Sequence, residues 1–159
     1  MEEVVVTQYS PKGLHLYVEA CSNVLPTKAN LAQRKVWINT RCSLCCQQNE
    51  TTCHILWECP LALVRGKLQK SNSAANNFLM LARQMMGRLD KKELEVWSII
   101  AWSIWNARNC FQFKQMQTHP ADIYKQASDL LKEYKRLAKP LSHRPTTWHL
   151  RTFACRDVL

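Results

Sequence analysis

Apolar positions recur at helical spacing along most of the chain. The cleanest run is Ile123, Tyr124, Ala127, Leu130, Leu131, Tyr134 and Leu137, on one helix face with Lys125, Lys132, Lys135 and Arg136 elsewhere. His119-Pro120 opens this helix and Lys139-Pro140 closes it. Upstream, Asp90 and Glu93 have capping-box spacing and open a long helix reaching about Gln117. Apolar residues nearly encircle it (Leu94, Val96, Trp97, Ile99, Ile100, Trp102, Ile104, Trp105), which predicts the most buried helix of the protein. Phe78, Leu81, Ala82 and Met85 mark another helix from Asn77, with Gly87 in a C-terminal capping position.

The N-terminal half is more broken. Ser10-Pro11 is a helix start, and Leu14, Tyr17, Val18 and Cys21 give the i, i+3, i+4, i+7 face that ends at Leu25-Pro26. Thr27 caps a short helix running to about Val36, with Leu31 inward and Lys28, Arg34 and Lys35 toward solvent. The next three residues, 36–38, read as a brief extended piece. Thr51 or Thr52 caps a helix with His54 in its first turn, and Cys59-Pro60 ends it and starts another. The pattern predicts a mainly α protein with little or no β structure.

Composition sharpens this picture. The 159 residues, 47% hydrophobic with six Trp and only three Gly, suit one packed domain, or a small domain with an attached helical segment. The boundaries read as a flexible lead-in (1–10), a small domain (11–70), a helical extension (71–139) and a loose C-terminal tail (140–159). Leu94 to Trp105 is too short and too polar for a membrane span. The opening MEEVVVTQYSP lacks the features of a signal peptide. An intracellular, reducing compartment is therefore expected, where clustered Cys and His mean metal more often than disulfides.

Five of the eight cysteines and a histidine lie between Cys42 and Cys59. Cys42 and Cys45 form a Cys-x2-Cys pair, and His54 and Cys59 form a second pair after a polar turn. Three thiolates and an imidazole suit one closed, tetrahedral, structural Zn2+ with no open position for catalysis. Binding worth about 10–16 kcal/mol is enough to organise a segment with few core residues. Cys46 and Cys53 are spare thiols: a knuckle suits 42/45 better than 42/46, and Cys53 leaves its helix about 100° from His54.

The net charge of +10 points to an acidic partner such as nucleic acid. The excess is concentrated around the cluster, where nine basic residues face two acids between Ala20 and Leu89. Arg34, Lys35, Arg41 and Arg65 are the phosphate-contact candidates, with Trp37 and Trp57 as stacking platforms, although core packing is favoured for Trp57. The partners to weigh are RNA, DNA or an RNA–DNA hybrid, or a protein docking on the helical extension; neither a membrane nor a small-molecule substrate is expected. A nucleophilic site built from Cys110 or Cys155 with His119, His143 or His149 has no supporting spacing.

Four segments in fixed order, LPTKANLAQRKV (25–36), RCSLC (41–45), ETTCHILWECPLA (50–62) and WSIIAWSIWNARNCFQF (97–113), resemble the zinc-binding domain of reverse transcriptases of plant non-LTR (LINE-type) retrotransposons. The resemblance covers roughly residues 11–140. It implies the same four ligands, Cys42, Cys45, His54 and Cys59, and a nucleic-acid-associated role beside a polymerase and an RNase H domain. The chain has no adjacent Asp pair and four Asp in all (Asp90, Asp122, Asp129, Asp157), too few convergent carboxylates for two-metal phosphoryl chemistry, so no enzyme activity is expected. A truncated remnant without independent activity is the plainest alternative. Three departures stand out: Cys46 replaces a usual Gly, Val18 a usual Trp, and Gly13 interrupts the first helix, which is expected to pack less well for it.

Overall fold

The structure, a computed structural model, describes residues 10–60 and 77–137. The lead-in before residue 10, the helix expected after Pro60, Arg65, and the tail with Cys155, His143 and His149 lie outside the described residues. The fold is mainly α: α1 (Pro11–Cys21), α2 (Lys28–Gln33), a single π-helical turn (His54–Glu58), α3 (Phe78–Arg88), α4 (Lys91–Lys114) and α5 (Pro120–Leu137). Among the described residues there is no strand, only one antiparallel bridge between Arg41 and Asn49. None of the described helices is long and apolar enough to cross a membrane.

Helix α4 is the axis. Its 24 residues span about 36 Å and receive α1, α5 and the π turn, while α3 packs on α1. Of the near-continuous apolar surface read from its sequence, Leu94, Trp97, Ile99, Ile100 and Ile104 are buried and Val96, Trp102 and Trp105 half-buried, and the Asp90–Glu93 capping box closes reciprocally at its start. It ends three residues before the expected Gln117, because Gln115 turns left-handed (φ 55°) and folds its N–H back onto the Cys110 and Phe111 carbonyls. Across it, α5 inserts Ile123, Ala127 and Leu131, and Lys135 pairs with the nearly buried Glu95 at 2.8 Å.

Trp97 ties the two halves together. Its ring stacks on Phe78 of α3 (5.8 Å between centroids) and takes Tyr17 of α1 at 6.1 Å and Trp57 of the π turn at 6.4 Å, both edge-on. Such pairs contribute about 0.5–1.5 kcal/mol each beyond their buried area.

The buried face of α1 differs from the expected one. Gly13, Leu16 and Ala20 point inward with Tyr17 half-buried beside them, whereas Val18 is exposed. The reason is Gly13: a Cβ there would lie 2.9 Å from Ser98 Oγ, so the missing side chain is what lets α1 approach α4. The glycine read as a packing defect is a point of close approach between the two helices. Gly87, by contrast, is inside α3, which runs to Arg88, and the chain leaves the helix through Leu89 in extended geometry. The same precision holds for α3's core face, Phe78, Leu81, Ala82 and Met85, all buried, and for its Asn77 cap.

Helix α2 is capped by Thr27 as expected but stops at Gln33, where Lys35 (φ 63°) makes a left-handed turn and Val36 N–H reaches the Leu31 carbonyl. Its buried residue is Asn30 rather than the half-buried Leu31. The Asn30 amide donates to the Asn23 side chain and to the Asn23 and Leu25 carbonyls, locking the α1–α2 connection.

Candidate metal centre

The segment from Thr40 to Glu50 is a tight hairpin-like loop. Glu50 N–H donates to the Thr40 carbonyl (2.8 Å), Cys42 N–H to the Gln48 carbonyl (2.8 Å) and Cys46 N–H to the Cys42 carbonyl (2.9 Å). This last bond closes the turn that brings Cys45 round to Cys42, and Cys46 takes the left-handed conformation (φ 57°) it requires. The Cys46 thiol is exposed and directed at the Ser43 carbonyl, away from the other sulfurs.

The second pair depends on the π turn. Thr51 Oγ accepts from His54 N–H (3.0 Å) and starts the turn; Cys59 N–H then donates to the His54 carbonyl at 2.7 Å, closing a five-residue loop. In an α-helix, residues five apart project about 140° from each other. The wider π winding brings Cys59 back over His54, consistent with the association of such bulges with functional sites. Cys53, on the other side of this turn, is buried outside the cluster, and burial pushes its thiol up to about 11.

The Sγ atoms of Cys42, Cys45 and Cys59 and a ring nitrogen of His54 lie within 4.8 Å of one another. Tetrahedral zinc with Zn–S of 2.3 Å sets neighbouring ligand atoms about 3.6–3.8 Å apart, so the cluster is a slightly open version of that geometry. Cys45 Sγ and His54 Nε2 are 3.3 Å apart. Cys42, His54 and Cys59 are buried and Cys45 is half-buried, which encloses the site. The donor set fits a zinc ion held by four protein ligands.

The electrostatics favour metal loading. Cys42 falls to about 3, chiefly through the hydrogen bond from Cys59 and against burial, helped by His54 and the backbone N–H groups of Cys45 and Leu44. For Cys45, burial pushes the thiol up, but the Gln47 and Gln48 N–H groups and His54 outweigh it and the thiol is lowered. His54 is raised: burial opposes its charge, but the Cys42 and Cys45 sulfurs beside it favour it. These are the marks of a site built for thiolates.

Around the ligands stand residues that spacing alone does not single out. Gln48 Oε1 lies 3.1 Å from His54 Nδ1, so its amide oxygen accepts that N–H and leaves Nε2 facing the sulfurs, the outer-shell arrangement typical of ligating histidines. Glu50 accepts Lys28 N–H with its carboxylate (3.0 Å) and Ala29 N–H with its carbonyl (3.1 Å), closing the start of α2, and is ion-paired with Arg108 of α4. Both side chains are buried, at 0% and 4% exposure, so the metal loop is riveted to α4 by a desolvated charge pair. Lys28, expected toward solvent, is half-buried, its ammonium donating to the Arg41 carbonyl (3.0 Å) and to Ser43 Oγ.

Arg34, Lys35 and Arg41 are exposed, as is Trp37. Trp57 is 5% exposed and packed on Trp97, so it is a core residue and not a stacking platform.

Residues 2–64 match the family model described as zinc-binding in reverse transcriptase. The resemblance to a reverse transcriptase zinc-binding domain therefore holds over the metal region, and what is matched is that domain, not a catalytic one. No curated protein and no solved structure matches the chain. The matched stretch contains all four clustered ligands, and the chain carries a zinc-binding module.

Proposed function

We propose that this protein is a non-catalytic structural-zinc module of the plant non-LTR (LINE-type) retrotransposon kind, and that it associates with nucleic acid. The observation that carries the reading is the exposed segment following α2: Arg34, Lys35 and Arg41 flank Trp37, whose side chain is wholly in solvent, and residues 34–41 contain no acid. A fully exposed Trp among unopposed cations is the combination that binds single-stranded backbone and stacks bases. The zinc, with no open coordination position, anchors this segment to the helical body rather than acting on a substrate. The setting that suits it is a reducing intracellular one, where clustered cysteines serve as metal ligands.

Titration of the zinc-loaded chain with RNA, DNA and an RNA–DNA hybrid tests the proposal. Affinity should fall steeply between low and physiological salt, and Trp37→Ala should weaken it by roughly fivefold or more. Absence of binding to all three at low salt would reject it. A second reading, docking of a protein partner on the helical extension, is favoured by Leu79, Met80 and Met86 of α3, which are exposed apolar residues.

A further inference from the structure

Between the metal loop and the end of α4 runs an open groove of about 530 Å³, with Cys42, Ser43 and Cys46 of the loop among its lining residues. Its size falls in the range of pockets that take small-molecule ligands, roughly 300–1,000 Å³. Lys28, Asn39 and Arg41 line it from one side and Phe111, Gln112 and Gln115 from the other, and no carboxylate lines it.

The hydrogen bonds already made leave a surplus of donors. Asn39 Oδ1 accepts from Arg41 N–H (2.9 Å) and Gln112 Oε1 from Ser43 Oγ (3.1 Å), so both amide oxygens are engaged while their NH2 groups have no partner among the described residues. Lys28 uses two of its three ammonium hydrogens. The Arg41 guanidinium makes no ion pair or hydrogen bond among the described residues. Two cations and unpaired amide donors beside an aromatic ring suit a ligand that is anionic, rich in acceptors and partly flat.

The geometry points to a subsite for one unpaired nucleotide of a single strand, with the phosphate at Arg41 and Lys28 and the base edge read by the Gln112 and Gln115 amides beside Phe111. This inference rests on the nucleic-acid reading above and adds to it: a base paired in a duplex cannot present its edge and face to such a groove. Amide side chains hydrogen-bond bases selectively, so the subsite gives base preference, which the Trp37 segment, stacking any base, does not.

The test uses the zinc-loaded full chain and short homopolymers of each ribonucleotide and deoxyribonucleotide, followed by fluorescence anisotropy at two salt concentrations. The expected result is a preference of roughly fivefold or more among bases. That preference should vanish in Gln112→Met/Gln115→Gly, which alters no charge and keeps the left-handed residue favourable, with the salt slope unchanged. Arg41→Gln should weaken every homopolymer and lower the salt slope by about one. Comparing ribo- with deoxyribo-oligomers shows which single strand is the source of the nucleotide, and zinc content checks that each variant is folded. Equal affinity for all bases, a preference that survives the double variant, or equal competition by duplex or by a sulfated polysaccharide would overturn the subsite. Salt-dependent, Trp37-dependent binding without base preference would do so while leaving the nucleic-acid reading intact; no binding at all would remove both.

Discussion

The metal region and the helical body are held together by different physics. Around α4 and α5 the interior is mostly aliphatic and aromatic, with Ile99, Ile100, Ile104, Ile123, Ala127 and Leu131 all buried. In the metal region, Thr27, Asn30, Glu50, Thr52 and His54 are buried beside the thiols, and hydrogen bonds and an ion pair occupy places that side-chain packing fills elsewhere. A core of this kind specifies one geometry strongly but is unforgiving, because each lost partner leaves a buried polar group unsatisfied. The metal and the polar network thus supply, beside the apolar burial of Ile55, Leu56 and Trp57, the order that residues 94–131 draw mainly from side-chain packing.

The largest way to break this contrast is to remove the metal. The unaltered chain should carry one zinc by elemental analysis, and Cys42→Ser or Cys59→Ser should abolish it and forfeit on the order of 10 kcal/mol of metal-coupled folding. Hydrogen exchange should then show the Cys46 and Cys59 amides unprotected while α4 and α5 retain protection. Cys53→Leu and Cys46→Gly should keep their zinc, and the latter should gain about 1 kcal/mol from relieving a left-handed cysteine.

Next comes the rivet between the regions: Glu50→Ala or Arg108→Ala should cost about 3–5 kcal/mol in denaturant unfolding, because either leaves the other charge buried and alone. In a double-mutant cycle the two losses should be far from additive. Gln48→Leu should lower zinc affinity about 10–100-fold, measured by chelator competition, with little change in helix content. Smallest is a pair of glycines. Gly13→Ala drives a methyl into Ser98 and should destabilise by about 1–3 kcal/mol, whereas Gly87→Ala meets nothing and should be neutral or stabilising by up to about 1 kcal/mol.

The difference between the regions also decided how much could be read in advance. The core face of α3 and the burial of α4 are written in local period, since each apolar residue needs only its neighbours three and four away to declare a face. The same rule failed on α1, where a glycine carries the decisive contact and counts for nothing in an apolar pattern. Ligand spacing was legible because Cys-x2-Cys is a short-range signal. Gln48 looked like any turn residue, and Glu50 and Arg108 are 58 positions apart, so their pairing exists only once the chain is folded. The left-handed backbone at Cys46 explains in physical terms why glycine is usual at that position of the resembling family.

The π turn has a consequence for spacer length. Residues 55–58 act as a ruler: the backbone between His54 and Cys59 is wound one residue looser than an α-helix, so the count of four intervening residues is itself part of the site. Removing any one of them would let the turn relax to ordinary α winding with the two ligands four apart and about 40° from each other, still on one face, whereas adding one would set them six apart and about 120° from each other. An insertion should therefore abolish metal binding even when every ligand is retained, and the match between spacer length and winding, more than the identity of Ile55, Leu56 or Trp57, is what the site depends on.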